Sequence, residues 1–234
     1  MALLKKTYFV TGTDTEVGKT FISCAILAKA AEQKLVTGAL KPVAAGCQFV
    51  DGELHNEDAI ALQAHCNLPL PYQTINPVAL KEAIAPHIAA QREGKQLQVS
   101  RLEGFARGAM MTPADLWLVE GAGGWLVPLN PRETLADLAV ALDTPVIVVV
   151  AVRLGCINHA LLTVAAIRAR GLAVAGWVAN CPGENDLQHS ANPALLENIA
   201  TLKSLMGAPL LGQVPQCDTP VQAAQYLDLV PLWH

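Results

Sequence analysis

The sequence predicts an α/β fold in one domain spanning residues 1–234, a mostly parallel sheet flanked by helices on both faces. Two observations carry this prediction. Six short segments rich in apolar and β-branched residues recur along the chain, and such continuous apolarity suits strands buried on both faces of a parallel sheet. Longer stretches between them repeat apolar residues at helical spacing. With 234 residues, 52% of them hydrophobic, the chain has ample material for a core.

The elements follow in order. TYFVTG (7–12) is the first strand, and Lys19–Gln33 places Phe21, Ile22, Ala25 and Ile26 on a helical face. LVTGALKPV (35–43) is the second strand. Residues 42–114 are less regular, with helices predicted in HNEDAIALQAH (55–65) and SRLEGFARGAM (100–110) on either side of the Pro-rich NLPLPYQTINP. This stretch is either a surface excursion or part of a substrate site beyond the strand ends. DLWLVEG (115–121), PVIVVVAV (145–152), LAVAGWVAN (172–180) and APLLGQVP (208–215) supply the other strands. Cys156–Arg170, with Ile157, Leu161, Val164 and Ala165, is a second crossover helix.

Composition excludes several function classes. The net charge is −4 and the 16 basic residues are scattered, so no electrostatic footprint for nucleic acid is present. MALLKKTYFV has too short an apolar run for a signal peptide, and no run approaches the ~20 residues needed to cross a bilayer. A cytoplasmic protein without membrane contact is expected. The six cysteines lack C-x-x-C spacing, which predicts thiols rather than disulfides or a zinc site. No histidine recurs at metal-ligand spacing, and none is expected to be essential.

The first strand runs into TGTDTEVGKT, residues 11–20. Glycines at a strand-to-helix turn let backbone N–H groups approach phosphate oxygens, and the helix N-terminus adds its positive end. The usual G-x-x-x-x-G-K-[ST] spacing would put glycine at position 13, where the chain has Thr13, with Gly12 one residue early. A plain strand-to-helix turn is the alternative. The strand before, the helix after and the glycines at both ends favour a phosphate loop, hence a P-loop NTPase-like fold. Lys19 can then reach the β- and γ-phosphates, and the Thr20 hydroxyl can ligate Mg²⁺.

Three charged residues gain meaning beside that loop. Glu120 ends an apolar strand where P-loop enzymes place a second acidic group facing the metal, although a strand-end glutamate is otherwise simply solvated. Asp58 begins a predicted helix, either as its N-cap or as an oxygen ligand for Mg²⁺. Lys41 ends the second strand, as a surface lysine or as a charge entering the cleft. Ligands of open α/β sheets collect at the carboxyl ends of the strands. Gly12–Thr20, Lys41, Glu120, Gly155–Asn158, Asn180 and Pro215 all fall there.

Taken together, TGTDTEVGKT, KPVAAG, NEDAIALQ, VEGAGGW, LGCINHALLT, GWVAN and APLLGQVP resemble the dethiobiotin synthetases, over about residues 7–215. The resemblance implies an ATP-dependent ligase that uses Mg²⁺ to close a cyclic urea from 7,8-diaminopelargonic acid and CO₂, through a carbamate and a carbamic–phosphoric anhydride. By the resemblance, Thr20, Asp58 and Glu120 bind Mg²⁺, while Lys19 and Lys41 offset charge on the reacting groups. Thr15 and Glu16 face nucleotide and substrate, with Glu16 toward the diamine. Val17, Gly18, Phe21, Gly121, Ala122 and Gly123 lie on the nucleotide. Asn180 with Cys181 contacts adenine, and Pro215, Gln216 and Cys217 form the far wall of that pocket. Ala45 and the helix start at Gly155, Cys156, Ile157 and Asn158 meet substrate, the latter holding its carboxylate from the neighbouring subunit of a homodimer.

Departures from the family pattern bear on substrate. Ala45 stands where the family often has serine, and no tyrosine lies between Tyr72 and Tyr226, so a family tyrosine near the carboxylate has no counterpart. CPGENDLQHSANP is longer than expected after the adenine-contact strand. Two other readings share the loop: a paralogue with shifted substrate, and a dimeric nucleotide-switch ATPase. The second typically carries a lysine where this chain has Asp14.

Overall fold

A computed structural model describes residues 5–181 and 193–234. The chain runs through β1 (Lys6–Gly12), α1 (Lys19–Glu32) and β2 (Thr37–Leu40). An excursion follows: β3 (Val43–Ala44), β4 (Gln48–Val50), β5 (Glu53–His55), α2 (Glu57–His65), α3 (Tyr72–Ile75), β6 (Val78–Ala79), α4 (Pro86–Arg92) and α5 (Val99–Ala109). It returns through β7 (Leu116–Glu120), α6 (Leu135–Leu142), β8 (Val146–Ala151), α7 (Cys156–Ala169), β9 (Val174–Asn180), α8 (Pro193–Leu205) and β10 (Leu210–Val214), then ends in α9 (Pro220–Ala224) and a 3₁₀ turn at Val230–Leu232.

The main sheet has the order β10-β9-β8-β1-β7-β2, and every neighbouring pair is parallel. All six predicted strands lie in it. Its carboxyl ends therefore share one edge; the β1–β2 connection carries α1 over one face and the β7–β8 connection carries α6 over the other in the opposite direction along the sheet, making a crevice above β1. Side chains alternate between two buried layers. Phe9, Trp117, Val119, Val148 and Trp177 enter one layer with α5–α8, while Tyr8, Val10, Leu116, Leu118, Ile147 and Val149 enter the other with α1 and the C-terminal segment. Burial on both faces is why these strands show no polar alternation.

Gly38 lies opposite Trp117 in the β2–β7 register, and a side-chain carbon there would come within 2.6 Å of the indole ring. Only glycine seats that ring against the sheet edge. The C-terminal segment closes the α1 layer through Leu227, Leu229 and Leu232, and the Tyr8 hydroxyl donates to the Leu232 carbonyl.

The structure differs from expectation in the excursion and at one strand end. The predicted strand 35–43 stops at Leu40, because the Lys41 N–H turns to the Ile75 carbonyl at 2.7 Å instead of continuing the ladder. Residues 43–92 also hold a parallel pair β3–β6, an antiparallel hairpin β4–β5 and the short α4, none distinguishable by periodicity at such lengths. The α6 helix carries a Thr134/Asp137 capping box, a sequence signal that the periodicity reading passed over. Within CPGENDLQHSANP, residues 182–192, including His189, lie outside the described residues. Among the described residues no helix is long and apolar enough to cross a membrane, and none of the six cysteines is joined in a disulfide.

Candidate active site

The loop after β1 folds back tightly. A side-chain carbon at Gly12 would come within 2.5 Å of the Val17 side chain and 2.8 Å of the Asp14 carbonyl, so glycine ending the strand is what lets the loop close despite Thr13. Glu16 and Gly18 take positive φ, 57° and 84°. At Gly18 any side chain would collide with the Asn180 amide nitrogen, which donates to the Val17 carbonyl at 2.9 Å. Asn180, 5% exposed, thus braces the loop from the end of β9. The α1 helix starts at Lys19 with no side-chain cap and no acidic residue in its first turn. Its first N–H groups are left for an anion.

Lys19 is nearly buried and its Nζ donates to the Asp14 carbonyl at 3.4 Å. Burial, then repulsion from Lys41, pushes its ammonium pKa down to about 8, with Glu120, Asp58 and Asp14 pulling the other way.

The end of β2 and the end of β7 build a buried charge cluster. Lys41, 3% exposed, donates from Nζ to Glu120 Oε1 at 2.7 Å, to Asp58 Oδ2 at 2.8 Å and to the Gly121 carbonyl at 3.2 Å. The Thr20 hydroxyl donates to the same Glu120 Oε1 at 2.7 Å. Burial opposes the charge on Lys41, but the two carboxylates outweigh it and hold its pKa above the ordinary lysine value. For Asp58, burial is likewise outweighed by Lys41, a Thr20 hydrogen bond and Lys19, so its pKa lies below the usual carboxylate range. Thr20, Lys41, Asp58 and Glu120, chosen from separate stretches of sequence, meet here.

Two alternative readings fail on burial. Lys41 is not a surface lysine, and Glu120 is fully buried rather than solvated. The cap of α2 is also corrected: Asn56 caps it, accepting from the Asp58 and Ala59 N–H groups at 3.1 and 3.3 Å. Asn is a favoured cap, and placing the cap two residues earlier frees the Asp58 carboxylate for Lys41.

A divalent cation fits this cluster. Glu120 Oε2 is buried without a partner, the only carboxylate oxygen so placed among the described residues. Lys19 and Lys41 already balance Asp58 and Glu120, so a bound triphosphate adds negative charge that an extra cation would offset. No group of three or more His, Cys, Asp or Glu residues forms a self-sufficient metal site among the described residues. That donor set suits Mg²⁺, which takes one or two carboxylates and completes its shell with phosphate oxygens and water.

The remaining predicted residues occupy the same edge at greater distance. Gly123 takes φ 65°, and a side-chain carbon there would come within 3.4 Å of the Thr15 hydroxyl, so the turn Gly121–Ala122–Gly123 lies along the phosphate loop. Thr15 and Glu16 are exposed, and Phe21 is half-buried in the first turn of α1. Cys181 is buried, its N–H bonded to the Val214 carbonyl at 2.8 Å, which sets it beside Pro215, Gln216 and Cys217 at the β10 side of the sheet. Ala45 follows β3 and its carbonyl accepts from Asn56 Nδ2 at 3.3 Å. Gly155–Asn158 start α7, again without a side-chain cap or first-turn acid. Among the described residues no hydrogen bond or ion pair joins them to Lys41, Asp58 or Glu120. Sequence reasoning missed Arg153, which ties the turn before α7 to the phosphate loop through Asp14 at 3.4 Å. It also missed Asn56, although its position just before the acidic first turn is a cap signal.

Comparison with known proteins is consistent across sequence and fold. A family profile described as AAA domain matches residues 6–223. An ATP-dependent dethiobiotin synthetase from Cellvibrio japonicus is 53% identical over 230 residues, 97% of this chain and 98% of that protein. One from Marinobacter nauticus is 50% identical over 98% of this chain and 99% of its own. Among solved structures, the septum site-determining protein MinD complexed with Mg-ADP from Pyrococcus horikoshii has a TM-score of 0.56 at 14% identity, covering 97% of this chain and 94% of that one. A ParA family ATPase from Chlorobium tepidum has a TM-score of 0.54 at 12% identity, covering 94% of this chain and 89% of that one. At such identities the likeness bears on fold alone.

Proposed function

The chain belongs to the ATP-dependent dethiobiotin synthetases, and from that membership we propose how its strand-end site carries the reaction. An amine of 7,8-diaminopelargonic acid adds to CO₂, giving a carbamate and releasing a proton. A carbamate oxygen attacks the γ-phosphorus of ATP, expelling ADP and leaving a carbamic–phosphoric anhydride. The second amine then attacks the carbamoyl carbon, closes the cyclic urea of dethiobiotin and expels phosphate.

The observation that carries this reading is the buried Lys41 ammonium between Asp58 and Glu120, joined through Thr20 to the phosphate loop. Phosphoryl transfer rests mainly on positioning and charge neutralisation. Lys41, held charged, would meet negative charge on the carbamate and the transferring phosphoryl group. Lys19 and the uncapped start of α1 would hold the β- and γ-phosphates. Mg²⁺ held by Thr20, Asp58 and Glu120 would supply further neutralisation of phosphate charge. Asn180 and the Pro215–Cys217 wall would take the adenine, Thr15 and Glu16 would border the phosphates and diamine, and Ala45 would face substrate.

The test is phosphate release with MgATP and bicarbonate, with and without 7,8-diaminopelargonic acid, with the organic product identified by mass. Diamine-dependent phosphate together with dethiobiotin is expected. Bound ATP with neither product would reject the substrate while leaving the phosphate loop standing, and would point to the shifted-substrate reading at Ala45.

A homodimer completes the proposal. Among the described residues no hydrogen bond or ion pair joins the start of α7, which would hold the carboxylate, to the Lys41 cluster, and Leu154 beside it and Leu162 on α7 are exposed apolar side chains. A second copy that brings its Gly155–Asn158 to this cluster would use both features. Sedimentation at assay concentrations should give a dimer, and a fully active monomer would refute the shared site. An ATP-consuming biosynthetic reaction, and cysteines without a disulfide, suit a cytoplasmic setting.

A further inference from the structure

Behind the charge cluster lies a chain of buried hydrogen bonds that the chemistry above does not use. Asn76, 3% exposed, donates from Nδ2 to the Lys41 carbonyl at 2.7 Å and to the Val78 carbonyl at 3.2 Å. Its Oδ1 accepts from the Tyr72 hydroxyl at 3.1 Å, and that hydroxyl accepts from the Asn56 N–H at 2.7 Å. Asn56 caps α2 through its Oδ1 and holds the Ala45 carbonyl through its Nδ2. The Asp58 carboxylate, in the first turn of α2, returns to Lys41 Nζ at 2.8 Å. The contacts form a ring that starts and ends on Lys41.

This ring has work that the sheet leaves undone. Lys41 has left the ladder, and both of its backbone polar groups are held from α3 and its end, the N–H by the Ile75 carbonyl and the carbonyl by Asn76. The segment entering α2 is the β4–β5 hairpin; every residue of β4 is exposed and none of β5 is fully buried, so the hairpin alone gives Asp58 little footing. Tyr72 supplies it, with its ring stacked on His55 at 4.2 Å and an interplanar angle of 15°. No side-chain polar atom of Asn56, Tyr72 or Asn76 is buried without a partner. A fully satisfied buried network of this kind rigidifies what it connects.

We infer that Tyr72, Asn76 and Asn56 are positioning residues that set the Lys41 ammonium and the Asp58 carboxylate at their working distance, and that Asn56 sets Ala45 on the substrate wall by the same bonds. The inference rests on the reading that Lys41 and Asp58 act in the reaction.

Tyr72→Phe tests it, because the ring and its stacking stay while the bridging hydroxyl goes. Misplacing reacting groups by about 1 Å costs up to about 10²-fold, so kcat should fall by about tenfold or more with KM for ATP within about twofold. Amide hydrogen exchange in the first turn of α2, at Asp58 and Ala59, should quicken, a readout independent of turnover. Asn76→Ala cuts the same chain, so the double variant should lose no more kcat than the worse single one. Leu202→Ala, buried in α8, supplies a control with lowered thermal stability and unchanged kcat. Wild-type kcat in Tyr72→Phe, unchanged exchange at those two amides, or losses that multiply in the double variant would overturn the inference. Tyr72→Phe alone decides if Asn76→Ala does not fold. Normal turnover in Lys41→Gln would instead reject the underlying reading of the site.

Discussion

Replacing Lys41 with glutamine should lower kcat on the order of 10²–10³-fold while changing the KM for ATP far less, as expected for a group whose attraction strengthens where charge develops. The geometry explains the asymmetry. Glu120 and Asp58 engage the ammonium at 2.7 and 2.8 Å, so the fold itself holds it in place. Glutamine keeps some hydrogen bonding but removes the charge. It also leaves two carboxylates, one fully buried, without their counter-ion, and breaking a buried pair in that way destabilises a fold by about 3–5 kcal/mol. Lys41→Gln should therefore melt at lower temperature when free of ligand, and steady-state kinetics should be taken below that transition. A variant with unchanged kcat would remove Lys41 from the chemistry and leave it a structural counter-ion.

What could be read from sequence, and what could not, follows from the range of the interactions. The six sheet strands were visible because burial on both faces writes itself into continuous apolar runs such as PVIVVVAV. The phosphate loop was visible because its residues are consecutive. Lys41, Asp58 and Glu120 could be flagged at strand and helix ends, yet each kept a bland alternative, since burial is a property of the folded sheet. Glu120 sits on β7 and Lys41 follows β2, and only the β2–β7 pairing brings them together. The Asn56–Tyr72–Asn76 chain left no sequence signal beyond a cap residue, because it links three short elements whose lengths defeat periodicity. Arg153 and Asp14 are 139 residues apart and meet only because β8 lies beside β1. Adjacent strands in space, not in sequence, assemble this site.

Lys19 should make nucleotide affinity depend on pH in a direction that its burial fixes. The fold pushes the Lys19 pKa down to about 8, by burial first and then by Lys41. An unfolded lysine titrates near 10.5, so between about pH 8 and 10.5 the unfolded chain carries the extra proton and this group's contribution to stability rises with pH. Below that window the native state holds a charged ammonium at a cost. Bound phosphates reverse the balance, since an anion against Lys19 favours its protonated form. ADP binding with saturating Mg²⁺ should therefore take up protons around pH 8–9, and affinity should weaken as pH rises through about 8. The last ionisation of ADP lies below this range and does not compete. Calorimetry in buffers of different ionisation enthalpy measures the uptake directly. Lys19→Ala should bind on the order of a hundredfold more weakly near neutrality, the cost of removing a buried charged partner, and its affinity should be nearly flat from pH 7 to 9.5. The two curves should converge at alkaline pH, where wild-type Lys19 must gain a proton to meet the phosphate. A wild-type affinity that stays flat across the same range would show that Lys19 is fully charged before nucleotide arrives, and that the depressed pKa has no part in binding.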